Sequence, residues 1–172
     1  MNFKENYLHV KKVNNFYAAG DSTWFAGLNK FSDLSYDDFK ASYLNQGNPL
    51  SNFKEEKTED KGHEFRAQKI VGDPAPSIDW RTSGKLLPIA DQLYCISGYA
   101  FSALDAISTA VAIKNSTTPL ALSSQQIVDC GKSSGTSGCN GGLQDGAYKW
   151  IMKNGGVTSL QNYPYIARDN NC

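Results

Sequence analysis

A polar stretch near the middle of the chain divides it into two parts that we expect to fold separately. Residues 46–75 contain the charged run from Lys54 to Lys61 together with several glycines and prolines. This composition offers few apolar side chains to bury and favours an extended, exposed linker, where processing proteases tend to cut. The sequence therefore predicts a small domain over residues 1–45, the linker, and a larger domain over residues 76–172.

Composition limits the class of protein. The chain has 172 residues, of which 40% are apolar and 12% aromatic, enough to build a buried core. Seventeen basic residues balance 17 acidic ones, so charge gives no reason to expect nucleic acid or a membrane surface as a partner. No apolar stretch approaches the ~20 residues of a membrane span, and no secretion signal is visible at the N-terminus.

Four cysteines, Cys95, Cys130, Cys139 and Cys172, allow three disulfide pairings. A zinc site would instead favour closely spaced cysteine pairs, and these four are far apart in the sequence. Disulfides indicate an oxidising compartment. Since such a protein needs a leader and none is visible, either sequence upstream of Met1 is missing or the protein is not secreted, and we expect that sequence is missing.

Helix signals occur in the N-terminal part. Residues near the start show helical periodicity, and Thr23-Trp24-Phe25 resembles a short strand. Ser35 is a candidate N-cap, with Asp38 as its capping-box partner, for a helix to about Tyr43.

The C-terminal part contains three further helix patterns. Ser97 is a candidate cap for a helix to about Lys114, in which Phe101, Leu104, Ile107 and Val111 should be widely buried. Ser123 with Gln126 forms a second capping signal. A third helix, Leu143 to Lys153, ends at Asn154-Gly155-Gly156.

Two signatures in the N-terminal part resemble those of cathepsin-type propeptides. The first is the C-terminal half of a helical signature. The second is a signature whose residues occur at every other position. Their residues are Phe3, Asn6, Val10 and Asn14, and then Gly27, Asn29, Phe31 and Asp33.

The C-terminal part resembles papain-like cysteine proteases over its whole length. Three segments carry the resemblance most specifically: Cys95-Ile96-Ser97-Gly98-Tyr99, Gly138-Cys139-Asn140-Gly141-Gly142 and Tyr163-Pro164-Tyr165. The resemblance implies an α+β papain-like fold, of which this chain covers the helical half. A small, mainly α-helical propeptide domain would precede it.

The resemblance also assigns residues to roles. It implies that Cys95 pairs with Cys139 and Cys130 with Cys172, and that Gln92 lies at the oxyanion hole. Gly141 and Gly142 would line the substrate cleft or simply serve turn geometry. No metal or organic cofactor is implied, and the location would be lysosomal, vacuolar or extracellular. There, the Asn115-Ser116-Thr117 sequon would be a glycosylation candidate.

The position of the family's nucleophile is occupied by Gly98, which has no side chain to attack a carbonyl. The family's catalytic His and Asn lie ~130–150 residues beyond the nucleophile, and the chain ends at Cys172. Leu93 and Ile96 stand where the family usually has glycine, and should crowd the loop.

These departures predict a catalytically inactive or fragmentary homologue of a papain-like endopeptidase zymogen. The alternative is a propeptide-type inhibitor or binding partner of an active papain-like protease. A third possibility is that a missing C-terminal half is supplied elsewhere as a partner.

Overall fold

The computed structural model describes residues 2–44 and 76–172. The chain divides into two compact units, Met1–Gln46 and Gly47–Cys172, and each is described by itself. The predicted linker, residues 46–75, lies outside the described residues, so the three-part division predicted from the sequence stays a prediction. Among the described residues, no helix is both long enough and apolar enough for a bilayer crossing.

The first unit contains two helices, α1 (Asn2–Ala19) and α2 (Tyr36–Tyr43). Helix α2 begins as predicted. The Ser35 side chain accepts a hydrogen bond from the Asp38 N–H, and the Asp38 carboxylate accepts one from the Ser35 N–H. This reciprocal pair satisfies two backbone donors that the first turn of a helix leaves unpaired.

Aromatic rings and side-chain hydrogen bonds, rather than a buried core, hold the first unit together. Neither α1 nor α2 contains a buried residue among those described. The Phe31 ring lies 5.1 Å from Phe39 and 4.8 Å from Tyr43, both in edge-to-face geometry. Such pairs contribute about 0.5–1.5 kcal/mol beyond their buried area, so they fix α2 against the preceding loop.

The second unit is built around three helices, α3 (Gly98–Lys114), α4 (Ser124–Cys130) and α5 (Gln144–Asn154). Short 3₁₀ turns cover Trp80–Thr82, Gly131–Ser134 and Gly138–Asn140. Across the described residues, β structure consists of one isolated antiparallel bridge, between Leu122 and Ser159. The described part of the papain-like fold is thus its helical half, as the resemblance implied.

The core lies where the three helices meet. Helix α3 contributes small residues that allow close approach, α4 contributes Ile127, and α5 contributes Ala147 and Trp150. Full burial of one large apolar side chain stabilises by about 1.5–3 kcal/mol. The buried apolar cluster comprises Tyr99, Ala100, Ala103, Leu104, Ile127, Ala147 and Trp150.

Two buried side chains of α4 hold the irregular C-terminal segment. Gln125 donates to the Arg168 carbonyl (2.7 Å) and accepts from the Ile166 N–H (2.9 Å). Asp129 accepts from the Asn170 N–H (2.8 Å) and from the Gln125 amide (2.9 Å). Because these polar groups are paired, their burial carries no unpaired-group penalty.

Three local predictions were wrong. Thr23-Trp24-Phe25 is not a strand, since no ladder partner lies beside it among the described residues. Ser97 precedes α3 but makes no side-chain cap, because its hydroxyl bonds elsewhere. Val111 is 51% exposed, so burial along α3 is confined to its first half and to Ser108 and Ala112.

Candidate functional site

The loop before α3 turns sharply at Leu93. The Cys95 N–H donates to the Gln92 carbonyl (3.2 Å), and the Asp91 carboxylate accepts from the Leu93 N–H (3.0 Å). Leu93 has φ 52°, in the left-handed region. A turn with positive φ at its first central residue favours glycine. The Leu93 side chain is 44% exposed, so the strain at this residue lies in its backbone conformation.

A partly buried hydrogen-bond chain fixes this loop against the helix start. The Tyr165 hydroxyl donates to the Gln92 carbonyl (2.7 Å), and the Ser97 hydroxyl lies 2.6 Å from the Tyr165 oxygen. Since the one Tyr165 proton goes to Gln92, Ser97 is the donor to Tyr165. Burial raises the pKa of the Tyr165 phenol, which keeps it protonated and able to donate.

Gly98 opens the 17-residue helix α3 and is exposed. A Cβ built at Gly98 would lie 3.3 Å from the Gln92 side-chain oxygen. The two residues that the resemblance assigns to the nucleophile and the oxyanion hole are therefore neighbours. The helix N-terminus would favour an anion here, but the position carries no group that can ionise.

Both residues border an open groove of about 520 Å³. One wall is the stretch from Leu86 to Ala90, and the other is the face of α3 that carries Phe101 and Asp105. Partial burial raises the pKa of the Asp105 carboxyl. The Ile89 side chain is fully exposed at the rim.

The two predicted cleft glycines differ in their backbone pairing. Gly141 has φ 108°, its N–H donates to the Gly138 carbonyl, and its carbonyl accepts from Ser137. Its backbone is thus committed to a turn. At Gly142, within the described residues, neither the N–H nor the carbonyl has a hydrogen-bond partner.

Gly142 lies directly against the Tyr99 ring. A Cβ at this position would come within 2.9 Å of the ring carbons, so only glycine fits without a shift of Tyr99. Tyr99 itself is fixed by burial and by donation of its hydroxyl to the Gly138 carbonyl (3.2 Å). Burial raises the pKa of Tyr99 to about 12, so the phenol stays neutral.

All four cysteines of the sequence form disulfides. Cys95 pairs with Cys139, and Cys130 pairs with Cys172, the pairs that the resemblance implies. The first disulfide ties the loop before α3 to the turn at Gly141, and the Ile96 N–H reinforces it by donating to the Cys139 carbonyl (3.0 Å). No cysteine retains a free thiol.

The propeptide-type motif joins α1 to the loop that precedes α2. Asn6 donates to the carbonyls of Ser32 (2.9 Å) and Leu34 (3.3 Å). Asn14 donates to the Ala26 carbonyl and accepts from the Ala26 N–H, as a paired backbone segment would.

The remaining motif residues lie on or around these contacts. Asn29 accepts from the Phe31 N–H (2.9 Å), and Phe31 packs on the α2 rings. Val10 is half-buried on α1, whereas Phe3 is exposed and stacks on Tyr7. Gly27 and Asp33 are exposed.

Sequence reasoning missed Tyr165 as a loop-fixing residue and missed the Leu86–Ala90 wall. Tyr165 belongs to the Tyr163-Pro164-Tyr165 segment, which contributed only to the resemblance. No local pattern could connect it to Gln92, since the contact spans 73 residues of sequence.

Comparison with known proteins matches both units to families. Residues 74–172 match the papain family of cysteine proteases, and residues 1–39 match the cathepsin propeptide inhibitor domain. The chain is 37% identical over 171 residues to the senescence-specific cysteine protease SAG39 of Oryza sativa subsp. indica. It is 34% identical over 170 residues to cathepsin L of Sarcophaga peregrina. These alignments cover 99% of this chain and 47% and 50% of the two relatives.

Solved zymogen structures are similar to this chain as well. The digestive procathepsin L2 proteinase from the larval midgut of Tenebrio molitor matches with a TM-score of 0.74 and 31% identity. That match covers 99% of this chain and 54% of the procathepsin chain. The chain spans about half the length of the relatives it matches. With its peptidase-type unit matched over residues 74–172, this protein belongs to the papain family of cysteine proteases.

Proposed function

We propose that this chain is a catalytically inactive member of the papain family that retains the zymogen's propeptide domain. The observation that carries the proposal is Gly98 at the N-terminus of α3, adjacent to Gln92. A cysteine protease needs a thiolate at this point, activated by the helix dipole and a nearby histidine. Glycine offers no atom beyond its α-carbon to form the acyl-enzyme.

Among the described residues, neither the cysteines nor Ser97 is suited to replace the nucleophile. The four cysteines are in disulfides. Ser97 is buried, and its proton is committed to Tyr165. Of the two histidines, His9 is exposed on α1 in the first unit, and His63 lies outside the described residues.

The proposal does not depend on the length of the chain. A downstream half could supply a histidine base and a second cleft wall, but it could not supply a side chain at position 98. Unpaired backbone groups at Gly142 support a residual capacity to hold an extended peptide, since extended peptides bind through such groups. Binding without cleavage is therefore the expected behaviour of any assembled cleft.

Activity assays on the purified chain test the proposal. We expect no hydrolysis of fluorogenic peptidyl substrates, before or after cleavage in residues 46–75, and no covalent adduct with a peptidyl epoxide. Gly98→Cys is the matched variant, and it should form the adduct or react with a thiol reagent. An epoxide adduct on the unsubstituted protein, located by mass spectrometry, would contradict the proposal.

A second candidate function is inhibition of an active papain-like protease by the first unit. The match of residues 1–39 to the cathepsin propeptide inhibitor domain favours it. So does the set of large apolar side chains that this unit leaves exposed, which offers a surface for a partner. Those more than half exposed include Phe3, Leu8, Trp24, Phe25 and Tyr36.

Titration of the full chain against active papain-like proteases tests this second function. Inhibition should be dose-dependent and should weaken in Asn14→Ala, which removes both hydrogen bonds to Ala26. Asn15→Ala, an exposed neighbour on α1, is the matched control and should inhibit as the unsubstituted chain does. The absence of inhibition at micromolar concentration would eliminate this candidate.

The disulfides support a location in an oxidising compartment. Cytosolic glutathione and thioredoxin keep most thiols reduced, whereas this chain pairs all of its cysteines. We propose a lysosomal, vacuolar or extracellular location, reached through the secretory pathway. Fractionation of the native source, with detection by antibody, tests it; recovery in the cytosol with free thiols would contradict it.

A further inference from the structure

We infer that Asn115 is a site of N-linked glycosylation. The sequon Asn115-Ser116-Thr117 directly follows α3, and it plays no part in the peptidase-like site. The inference rests on the secretory route proposed above in one respect, namely that the chain must enter the compartment where N-glycosylation occurs. The chemistry is the transfer of an oligosaccharide from a polyprenyl-diphosphate donor to the Asn115 amide.

The modification step is balanced without a redox partner. A bond forms between the Asn115 Nδ2 atom and the anomeric carbon of the first sugar. The bond between that carbon and the diphosphate oxygen breaks, and the polyprenyl diphosphate leaves with the electron pair. The amide loses one proton to the medium.

The sequon forms the C-terminal cap of α3 through its backbone alone. The Thr117 N–H donates to the Ala112 carbonyl (3.0 Å), and the Ser116 N–H donates to the Ile113 carbonyl (3.3 Å). Ser116 has φ 55°. This is the Schellman arrangement, in which a left-handed residue just past the helix reverses the chain. The turn therefore presents the sequon at the protein surface.

The side chains that the modification uses remain available. Asn115 and Thr117 are both exposed. Within the described residues, neither side chain makes a hydrogen bond, and the contact from Lys85 goes to the Thr117 backbone carbonyl (2.5 Å). A glycan on the Asn115 amide would thus displace no existing contact.

The position is also compatible with the rest of the fold. Asn115 lies at the far end of α3 from Gly98, about 25 Å away at 1.5 Å per residue. A glycan there would leave the groove open. It would instead lie near Val111, an apolar side chain one turn before Asn115 that is 51% exposed. Shielding of such side chains reduces association between copies.

The test expresses the full chain behind a cleavable secretion signal in a eukaryotic host. We expect the secreted protein to shift to higher mobility on treatment with peptide N-glycanase, and a proteolytic peptide of the treated protein to contain Asp at position 115. Thr117→Ala should abolish the shift completely, whereas Thr117→Ser, which keeps the sequon, should retain it. Asn115→Gln should also abolish it, and Asn15→Gln should not.

The design separates a wrong site from a wrong location or a misfolded variant. A thiol titration of the secreted sample reports whether the disulfides have formed, and site mapping on the unsubstituted protein needs no variant. Disulfide-bonded, secreted protein with an unmodified Asn115 would overturn the inference even if the proposed inactivity holds. A shift that persists in Thr117→Ala would overturn it as well.

Discussion

Leu93 carries a local strain that the neighbouring residues impose. Its φ of 52° is fixed by the Asp91 carboxylate, by the turn from Gln92 to Cys95, and by the Tyr165 bond to Gln92. A left-handed conformation costs a residue with a Cβ about 1–2 kcal/mol. The loop keeps a glycine-type conformation with a leucine in it, which agrees with the resemblance to a family that has glycine there.

Leu93→Gly should stabilise the second unit. Relief of the left-handed strain exceeds the extra unfolded-state entropy of glycine, and the net gain should be about 0.5–1 kcal/mol. Urea unfolding followed by tryptophan fluorescence measures it. Leu93→Ala is the control, because it removes the side chain beyond Cβ but keeps the Cβ and its strain, and it should not stabilise. Equal effects of the two variants would place the strain in the side chain and contradict this account.

At Gly98, the helix start should still activate a thiol if one is introduced. In Gly98→Cys, the thiol pKa should fall below the free value of about 8.5, because the N-terminus of α3 favours the thiolate. The pH dependence of alkylation measures this. Ser102→Cys, one turn later on the exposed face of α3, should show a higher pKa. Equal thiol pKa values in the two variants would mean that the start of α3 has no such effect. Neither variant should hydrolyse peptides in the absence of a histidine base.

At the scale of helices, sequence signals predicted termini well when the cap is local. Ser35 forms its predicted capping box, and α5 ends at Gly155, whose φ of 76° only glycine adopts easily. At Ser123 the side chain caps Gln126 as predicted, but the Gln126 side chain bonds to the Thr158 N–H instead of closing the box. Ser97 departs further from its predicted role as a cap, because its hydroxyl forms a hydrogen bond with a tertiary partner, Tyr165.

Helix α4 should control the order of the C-terminal segment. Gln125→Ala removes three hydrogen bonds of a buried side chain, to Arg168, Ile166 and Asp129. At roughly 0.5–1.5 kcal/mol each, the loss in unfolding free energy should be about 1.5–4.5 kcal/mol. Hydrogen exchange of the Ile166 amide should also accelerate.

The matched control for this variant is Gln144→Ala, in an exposed glutamine whose side chain makes one bond, to Ser102. Gln144→Ala should lower the free energy of unfolding by less than about 0.5 kcal/mol, as surface substitutions usually do. If the Ile166 amide exchanged at the same rate in both variants, the segment would be held by the disulfide at Cys172 and not by Gln125.

At the scale of the whole molecule, the sequence predicted the helical half-fold through motifs that lie within short segments. The groove could not be predicted, because its walls at Leu86–Ala90 and on α3 come together only by packing. The same holds for the different pairing of Gly141 and Gly142, which depends on where the 3₁₀ turn at Gly138–Asn140 ends. Short-range patterns determine the elements, and long-range contacts determine which backbone groups stay open.

The stability of the second unit should depend on its disulfides more than on any single contact. The two links close loops with sequence separations of 44 and 42 residues. By the chain-entropy relation, each should stabilise by about 4 kcal/mol, which is comparable to the whole stability of a marginal domain, about 5–15 kcal/mol. Reduction should therefore lower the urea midpoint of residues 76–172 strongly or unfold them outright.

Paired variants identify the contribution of each link. Cys95→Ser with Cys139→Ser should release the loop before α3, and Cys130→Ser with Cys172→Ser should release the C-terminal segment. Each double variant should lose less stability than full reduction causes. Reductant should lower the urea midpoint of each double variant further. A midpoint that reductant leaves unchanged in the unsubstituted chain would show that packing of α3, α4 and α5 suffices. The case for an oxidising compartment would then lose its energetic basis, because the protein could fold equally well in a reducing one.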